Sequence, residues 1–212
     1  MQRVKTKYFE YGKEEMEYLK SVDIKLGSVM DNMGKVKRIV IPDLFPALLN
    51  AIVGQQISVK ATNTIWERMQ LTFDDITPKV LAFSEVSKIQ HCGMSTRKAS
   101  YIKGIAETVF SGGINLEQLK ELSDSEVINR LSSLKGVGVW TAEMLLLNSM
   151  ERKDVLSFGD IAIRRGMMKL YGLENINQEQ FDEYKKVYSP YGSIASIYLW
   201  KLSSVNKEEH KC

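Results

Sequence analysis

Residues 131–150, Leu131-Ser132-Ser133-Leu134-Lys135-Gly136-Val137-Gly138-Val139-Trp140-Thr141-Ala142-Glu143-Met144-Leu145-Leu146-Leu147-Asn148-Ser149-Met150, decide how the chain is read. The pattern ends one helix near Leu134, makes a tight turn at Lys135-Gly136-Val137-Gly138, and starts a second helix that runs from about Val139 to Asn148. Ala142, Leu145 and Leu146 recur at helical spacing and are expected to face inward. Glycines at alternate positions let backbone amides approach another molecule with no Cβ in the way. Those amides lie at the start of the second helix, where the dipole favours an anion. Gly136 and Gly138, with Lys135 and Thr141 beside them, are therefore candidate phosphate contacts. A glycine turn also joins helices for purely structural reasons, so the bare turn leaves a plain αα-hairpin open.

Outward from the hairpin the pattern stays helical. Leu44, Leu48, Leu49 and Ile52 share one helical face, with Pro42 suited to a first turn. Ser58 or Val59 opens a stretch with Ile65, Trp66 and Met69 on one side, and Trp66 reads as core. Thr77-Pro78 reads as an N-cap and first-turn proline, Ser84 as the cap of the next short helix, and Ser95 as the cap of a longer one that stops at Gly112-Gly113. Ser123 to Glu126 and Asn177 to Gln180 have the form of capping boxes. Lys35 to Ile41 alternates enough for a short extended piece, with no clear partner. No linker or repeat divides the chain, and 206–212 read as a solvated tail. The fold class is all-α.

The 212 residues are 44% hydrophobic and 26% charged, with a net charge of +3. That apolar content excludes a disordered tail, and the length allows one or two domains. The weak charge excludes a polycation but not an enzyme with a local basic face. Two cysteines, Cys92 and Cys212, are too few for a disulfide scaffold or for an iron–sulfur cluster held only by cysteines. The N-terminus is charged and has no signal-peptide core, and no apolar run reaches the roughly 20 residues of a membrane span. A soluble, cytoplasmic protein with no membrane partner is expected.

Asp160 stands 20 positions after Trp140, in Phe158-Gly159-Asp160-Ile161-Ala162-Ile163-Arg164-Arg165. An aspartate before such a run is an ordinary helix N-cap. It can also stabilise an oxocarbenium-like sugar or orient a water, as carboxylates do in glycosidic cleavage. The two readings are compatible, because a cap fixes the direction of the carboxylate. Asp154 reads as a solvated loop charge.

The string LxGVGxWTA at 134–142, with an aspartate at this distance, resembles the helix-hairpin-helix/Gly-Pro-Asp DNA glycosylase superfamily. The resemblance extends over most of the chain. Residues 51–69 are similar to the family's helix-loop-helix whose loop wedges into the DNA stack, and 91–107 to the helix before the hairpin. Residues 189–202 resemble the C-terminal helix of the 3-methyladenine DNA glycosylase II (AlkA-like) branch, with Ser193 and Trp200 matching and Tyr191-Gly192 replacing a Trp-Arg pair. The branch's N-terminal β domain is expected to be absent. Phe158-Gly159-Asp160 departs from the strict Gly-Pro-Asp string but keeps the aspartate.

The resemblance implies two helical subdomains flanking a DNA-binding cleft. Residues 1–45 and 159–212 would form one of them, and 46–158, with the hairpin at 131–149, the other. It implies Asp160 as the catalytic carboxylate, and Gln56, Ile57 or Ser58 as the wedge, the alternative being a helix turn whose glutamines only bond backbone. Backbone carbonyls of Ser132, Leu134 and Val137 would hold a Na+ or K+ ion, with no cofactor required. Bifunctional relatives carry a lysine where Trp140 stands. Tryptophan cannot form the imine, so a water-using enzyme without lyase activity follows. Trp140, and less surely Trp200, would receive a flipped, positively charged alkylpurine by stacking and cation–π attraction, unless Trp140 is a core aromatic. Arg97, Lys98, Arg164 and Arg165 are further phosphate candidates. The expected function is a monomeric, monofunctional glycosylase for alkylated purines in double-stranded DNA. A glycosylase for oxidised, deaminated or mismatched bases, and a non-catalytic DNA-binding module, are the alternatives.

Overall fold

The structure is a computed structural model that describes residues 3–205. In chain order the elements are β1 (Lys7–Tyr8), α1 (Lys13–Val22), α2 (Ile24–Met33), β2 (Ile39–Val40), α3 (Leu44–Gly54), α4 (Val59–Thr72), α5 (Pro78–Ala82), α6 (Val86–Gln90), α7 (Thr96–Phe110), α8 (Asp124–Ser132), α9 (Val139–Asn148), α10 (Ile161–Tyr171), α11 (Gln178–Tyr188) and α12 (Gly192–Ser204), with a 3-10 turn at Gln118–Glu121. The chain is all-α apart from the β1–β2 ladder. That ladder supplies the partner the sequence did not reveal for Ile39–Val40. No helix among the described residues is long and apolar enough to cross a membrane.

Two compact units divide the chain, one comprising Val40–Met150 with the residues up to Lys7, the other Tyr8–Ile39 with the residues from Glu151 onward. The boundaries thus lie several residues before the expected 45/46 and 158/159, and the middle unit also takes the first residues of the chain. The crossings fall in the two-residue strands and just after α9, not at the starts of α3 and α10.

In the unit that carries the hairpin, α7 is packed by α5, α6 and α3, while α8 pairs with α9 and α3 also meets α4 and α9. Leu48, Leu49, Ile52, Met69, Leu81, Ile89, Ile102, Val127 and Leu131 are fully buried, and Trp66 is core as the spacing predicts. Caps follow local chemistry. Ser58, Thr77, Ser95 and Ser123 accept first-turn amides as expected. Two sequence expectations are corrected. Asp43 caps α3, so Pro42 precedes the helix and does not lie in its first turn. Glu85 holds the cap position of α6, while the Ser84 hydroxyl donates back to the Val80 carbonyl at 2.7 Å.

In the other unit α10 and α12 are the closest pair. A Cβ on Gly166 would lie 2.2 Å from the Leu199 carbonyl oxygen, so only glycine allows this approach. α12 is buried on every side from Gly192 to Leu199, the pattern of a central helix. Its two buried serines do not oppose that burial, because both bond the segment that leads to α10. The Ser193 hydroxyl donates to the Arg152 carbonyl at 2.6 Å and accepts the Val155 amide at 2.9 Å, and the Ser196 hydroxyl donates to the Val155 carbonyl at 2.8 Å. Asp154 belongs to the same set. Its carboxylate accepts the Ser189 hydroxyl at 2.6 Å and the Gly192 amide at 3.1 Å. It is a structural anchor, not the solvated loop charge expected.

Candidate functional site

The hairpin consists of α8, a turn through Leu134 to Val137, and α9. Gly136 has φ +93°, and a Cβ there would meet the Tyr101 ring at 2.3 Å. This glycine is required by the protein's own packing. Gly138 is different. Its φ is −94°, open to any residue, and a Cβ would touch nothing within 4 Å. The fold does not demand glycine there, and the position stands open to the outside. Gly138 is also the N-cap of α9 and brings no side-chain acceptor to the first-turn amides. Those amides are oriented outward with the helix dipole behind them. Lys135 is exposed beside the turn, whereas Thr141 is buried and faces inward.

The 55–58 loop is tied to this hairpin. The Gln55 side-chain amide donates to the Gly136 carbonyl at 2.9 Å and to the Thr141 hydroxyl at 3.4 Å. From the other side Lys98 donates to the Val53 and Gln55 carbonyls at 2.8 and 2.6 Å. Burial, with the charge of Arg97 second, lowers the Lys98 pKa. Lys98 is therefore committed to the C-terminus of α3 and is not the phosphate contact expected, while Arg97 stays exposed. Gln56 sits in the left-handed region at φ +58°, and Ile57 is 38% exposed. The Ser58 hydroxyl is occupied as the α4 cap, accepting the Ala61 amide at 3.2 Å. Gln56 and Ile57 are left as the outward-facing wedge candidates.

Gln55→Ala should lower the melting temperature by about 4 °C, since two hydrogen bonds worth roughly 0.5–1.5 kcal/mol each are lost and each kcal/mol moves a chain of this size by about 2–4 °C. Thermal denaturation followed by circular dichroism checks it. An unchanged melting temperature would show that the latch does not hold the loop.

Trp140 lies in the first turn of α9 and is 43% exposed, next to Val139 at 58%. It is not a core aromatic. Its ring is partly exposed on the surface of the hairpin unit.

The carboxylate belongs to the other unit. Asp160 is only 7% exposed. One oxygen, Oδ1, accepts the amides of Ala162 at 2.8 Å and Ile163 at 2.9 Å. The cap fixes the carboxylate plane and leaves Oδ2 outside these two bonds. Arg38, which sequence reasoning missed, feels the charge of Asp160. Its guanidinium lies 4.4 Å from the centroid of the half-buried Trp200 ring. Burial pulls its pKa below the ordinary arginine value, and the negative charge of Asp160 opposes that pull. Trp200 thus carries a cation on one face already. Of the later arginines, Arg164 stacks on Phe158 at 4.8 Å with its Nε buried, and Arg165 is exposed.

A glycine hairpin between α8 and α9, in a chain that also fixes a buried carboxylate at a helix start, defines a helix-hairpin-helix protein. The chain belongs to the HhH-GPD superfamily of base excision DNA repair proteins, which it matches over residues 49–190. It is 34% identical over 166 residues to DNA-3-methyladenine glycosylase 1 of Schizosaccharomyces pombe, a match covering 76% of this chain and 73% of the relative. The crystal structure of a DNA-3-methyladenine glycosidase from Bacillus halodurans is similar with a TM-score of 0.81 and 33% identity, over 96% of this chain and 95% of that one. The 3-methyladenine DNA glycosylase of S. pombe in complex with abasic DNA gives 0.80 and 30%, over 89% and 96%.

Proposed function

We propose that the chain is a monofunctional DNA glycosylase that removes alkylated purines of the 3-methyladenine and 7-methylguanine type from double-stranded DNA by hydrolysing the N-glycosidic bond. The observation that carries this reading is Asp160, a buried carboxylate clamped by two α10 amides and aimed by the cap. The names of its relatives as 3-methyladenine glycosylases support the same substrate class.

The reaction follows from charge. The damaged nucleotide leaves the stack at a cost of a few kcal/mol, with Gln56 or Ile57 filling the gap. The hairpin amides from Gly136 to Trp140 hold the backbone, aided by Lys135. An N-alkylated purine already carries positive charge, and its departure needs no general acid. As the C1′–N bond breaks, the electron pair goes to the base and positive charge grows on the sugar, where Asp160 stabilises it. Water then adds at C1′. Trp140 stands where a Schiff-base lysine would be needed for strand cleavage, and an indole nitrogen cannot take that role. The enzyme acts as a monomer.

The hairpin oxygens suit a monovalent cation. The Ser132 hydroxyl is buried without a hydrogen-bond partner. With the carbonyls of Ser132, Leu134 and Val137 it would offer neutral oxygen only, a chemistry that suits Na+ or K+ rather than a softer metal, while the Leu134 carbonyl also accepts the Val137 amide at 3.0 Å. Such an ion would add positive charge under a phosphate.

Incubation with dimethylsulfate-treated DNA should release free 3-methyladenine and 7-methylguanine, measured by chromatography, with no adduct trapped by borohydride on an abasic duplex. Binding to DNA without release of any base from a panel of lesions would show a non-catalytic module. Release confined to uracil or oxidised bases would assign the other substrate class, and a trapped adduct would show a lysine nucleophile.

A further inference from the structure

Arg38 occupies a place that the reaction above does not use. Its backbone is fixed, because the Arg38 carbonyl accepts the Phe9 amide at 2.8 Å just before β2. Its guanidinium is stacked on Trp200 at 4.4 Å. It also lies within electrostatic reach of Asp160, the residue proposed to face the sugar. A fixed cation within electrostatic reach of that carboxylate would also be felt by a base leaving the sugar.

The sign of that effect depends on the base. When the C1′–N bond breaks, its electron pair passes to the purine. A 7-alkylguanine begins as a cation and leaves neutral. A neutral purine such as hypoxanthine begins neutral, leaves with negative charge, and takes a proton from water. In both cases C1′ gains the hydroxyl of a water molecule, whose proton goes to solvent. A nearby guanidinium repels the cationic base before reaction and stabilises the departing anion of the neutral one. On Trp200 it also occupies the face that a cationic base would otherwise use.

We propose that Arg38, stacked on Trp200, is a specificity-determining residue that restrains the preference for cationic alkylpurines and extends excision to neutral purine lesions. The proposal rests on the glycosylase reading above. Trp140 is then the aromatic surface for cationic bases, and Trp200 is the support of the arginine.

The test is a ratio, the kcat/KM for 7-methylguanine over that for hypoxanthine, each in a defined duplex. A ratio cancels any loss common to both substrates, such as a small shift of Asp160. Arg38→Gln and Arg38→Met should raise it by about tenfold, roughly what one unit charge about 12 Å away is worth at an effective dielectric near 20. Arg38→Lys keeps the charge and should leave the ratio within about twofold of the unaltered protein. Equal losses on both substrates in the neutral variants would overturn the proposal and make Arg38 a packing residue. If those variants do not fold, the lysine variant decides, and a tenfold change in its ratio overturns the proposal. Release of neither base by the unaltered protein would remove the glycosylase reading, and this proposal with it.

Discussion

Asp160→Asn should reduce base release from methylated DNA by about a thousandfold, the scale of losing one preorganised electrostatic contact to a transition state, while DNA affinity stays within about twofold. The substitution isolates charge from structure. Asparagine is as good an N-cap as aspartate, and its side-chain oxygen can still accept the Ala162 and Ile163 amides that Oδ1 now accepts at 2.8 and 2.9 Å. The start of α10 therefore survives, and only the negative charge proposed to face the sugar is lost. Asp160→Ala removes both, so it should add a stability loss of about 1 kcal/mol for the missing cap. Single-turnover release, an electrophoretic binding assay and a melting curve on both variants separate the two effects. Full activity in the asparagine variant would leave Asp160 as a cap only and would remove the mechanism. A further comparison follows from Arg38. Its charge loses a counter-charge in both variants, and that cost appears equally in both melting curves.

How much of this was legible in the chain depended on how local each signal is. The Gly136–Gly138 turn, the cap at Asp160 and the capping boxes at Ser123 and Asn177 are set by neighbours within four residues, and the structure forms them where the spacing predicts. Errors arose where two adjacent residues could both serve. Ser84 and Glu85 can each start a helix, and the Ser84 hydroxyl turned back to the Val80 carbonyl instead. Of the two glutamines after Gly54, the sequence drew attention to Gln56, while Gln55 makes the bonds to the hairpin. Only the distant Gly136 carbonyl distinguishes them. Lys98 looked like a surface cation for the same reason. Its targets, the Val53 and Gln55 carbonyls, are brought to it by the packing of α3 on α7. Asp154 and Arg38 were illegible because their partners are distant in sequence, Ser189 and Gly192 for the aspartate and Trp200 for the arginine. A weak hint existed for the former. Two serines inside an otherwise apolar helix need acceptors, and the segment before Asp160 supplies them. Nothing nearby in the sequence marked Arg38, which sits in a short alternating stretch among other basic residues.

The two hairpin glycines give the sharpest separation of fold from function, since they should fail in opposite ways. Gly136→Ala should be a stability variant. It forces a Cβ onto φ +93° and against the Tyr101 ring at 2.3 Å. The backbone term costs about 1 kcal/mol and the displaced ring about 1–3 kcal/mol more. The melting temperature should fall by about 8 °C, taking about 2–4 °C per kcal/mol for a chain of this length. Adding Tyr101→Ala should relieve the ring contact but not the backbone strain, so the double variant recovers only part of the loss at that contact. Gly138→Ala should be a binding variant. Its φ of −94° suits alanine, and the new methyl group meets no protein atom within 4 Å. The helix start loses only about 0.5 kcal/mol, so the melting temperature should move by no more than about 2 °C. The same methyl group stands over the amides at the start of α9, where a phosphate must come to about 3 Å to be held. DNA affinity should fall by about tenfold or more, and kcat/KM for base release should fall with it while single-turnover chemistry at saturating enzyme is largely kept. If Gly138→Ala binds DNA as tightly as the unaltered protein, the backbone does not approach this turn, and Lys135 would have to supply the contact at longer range.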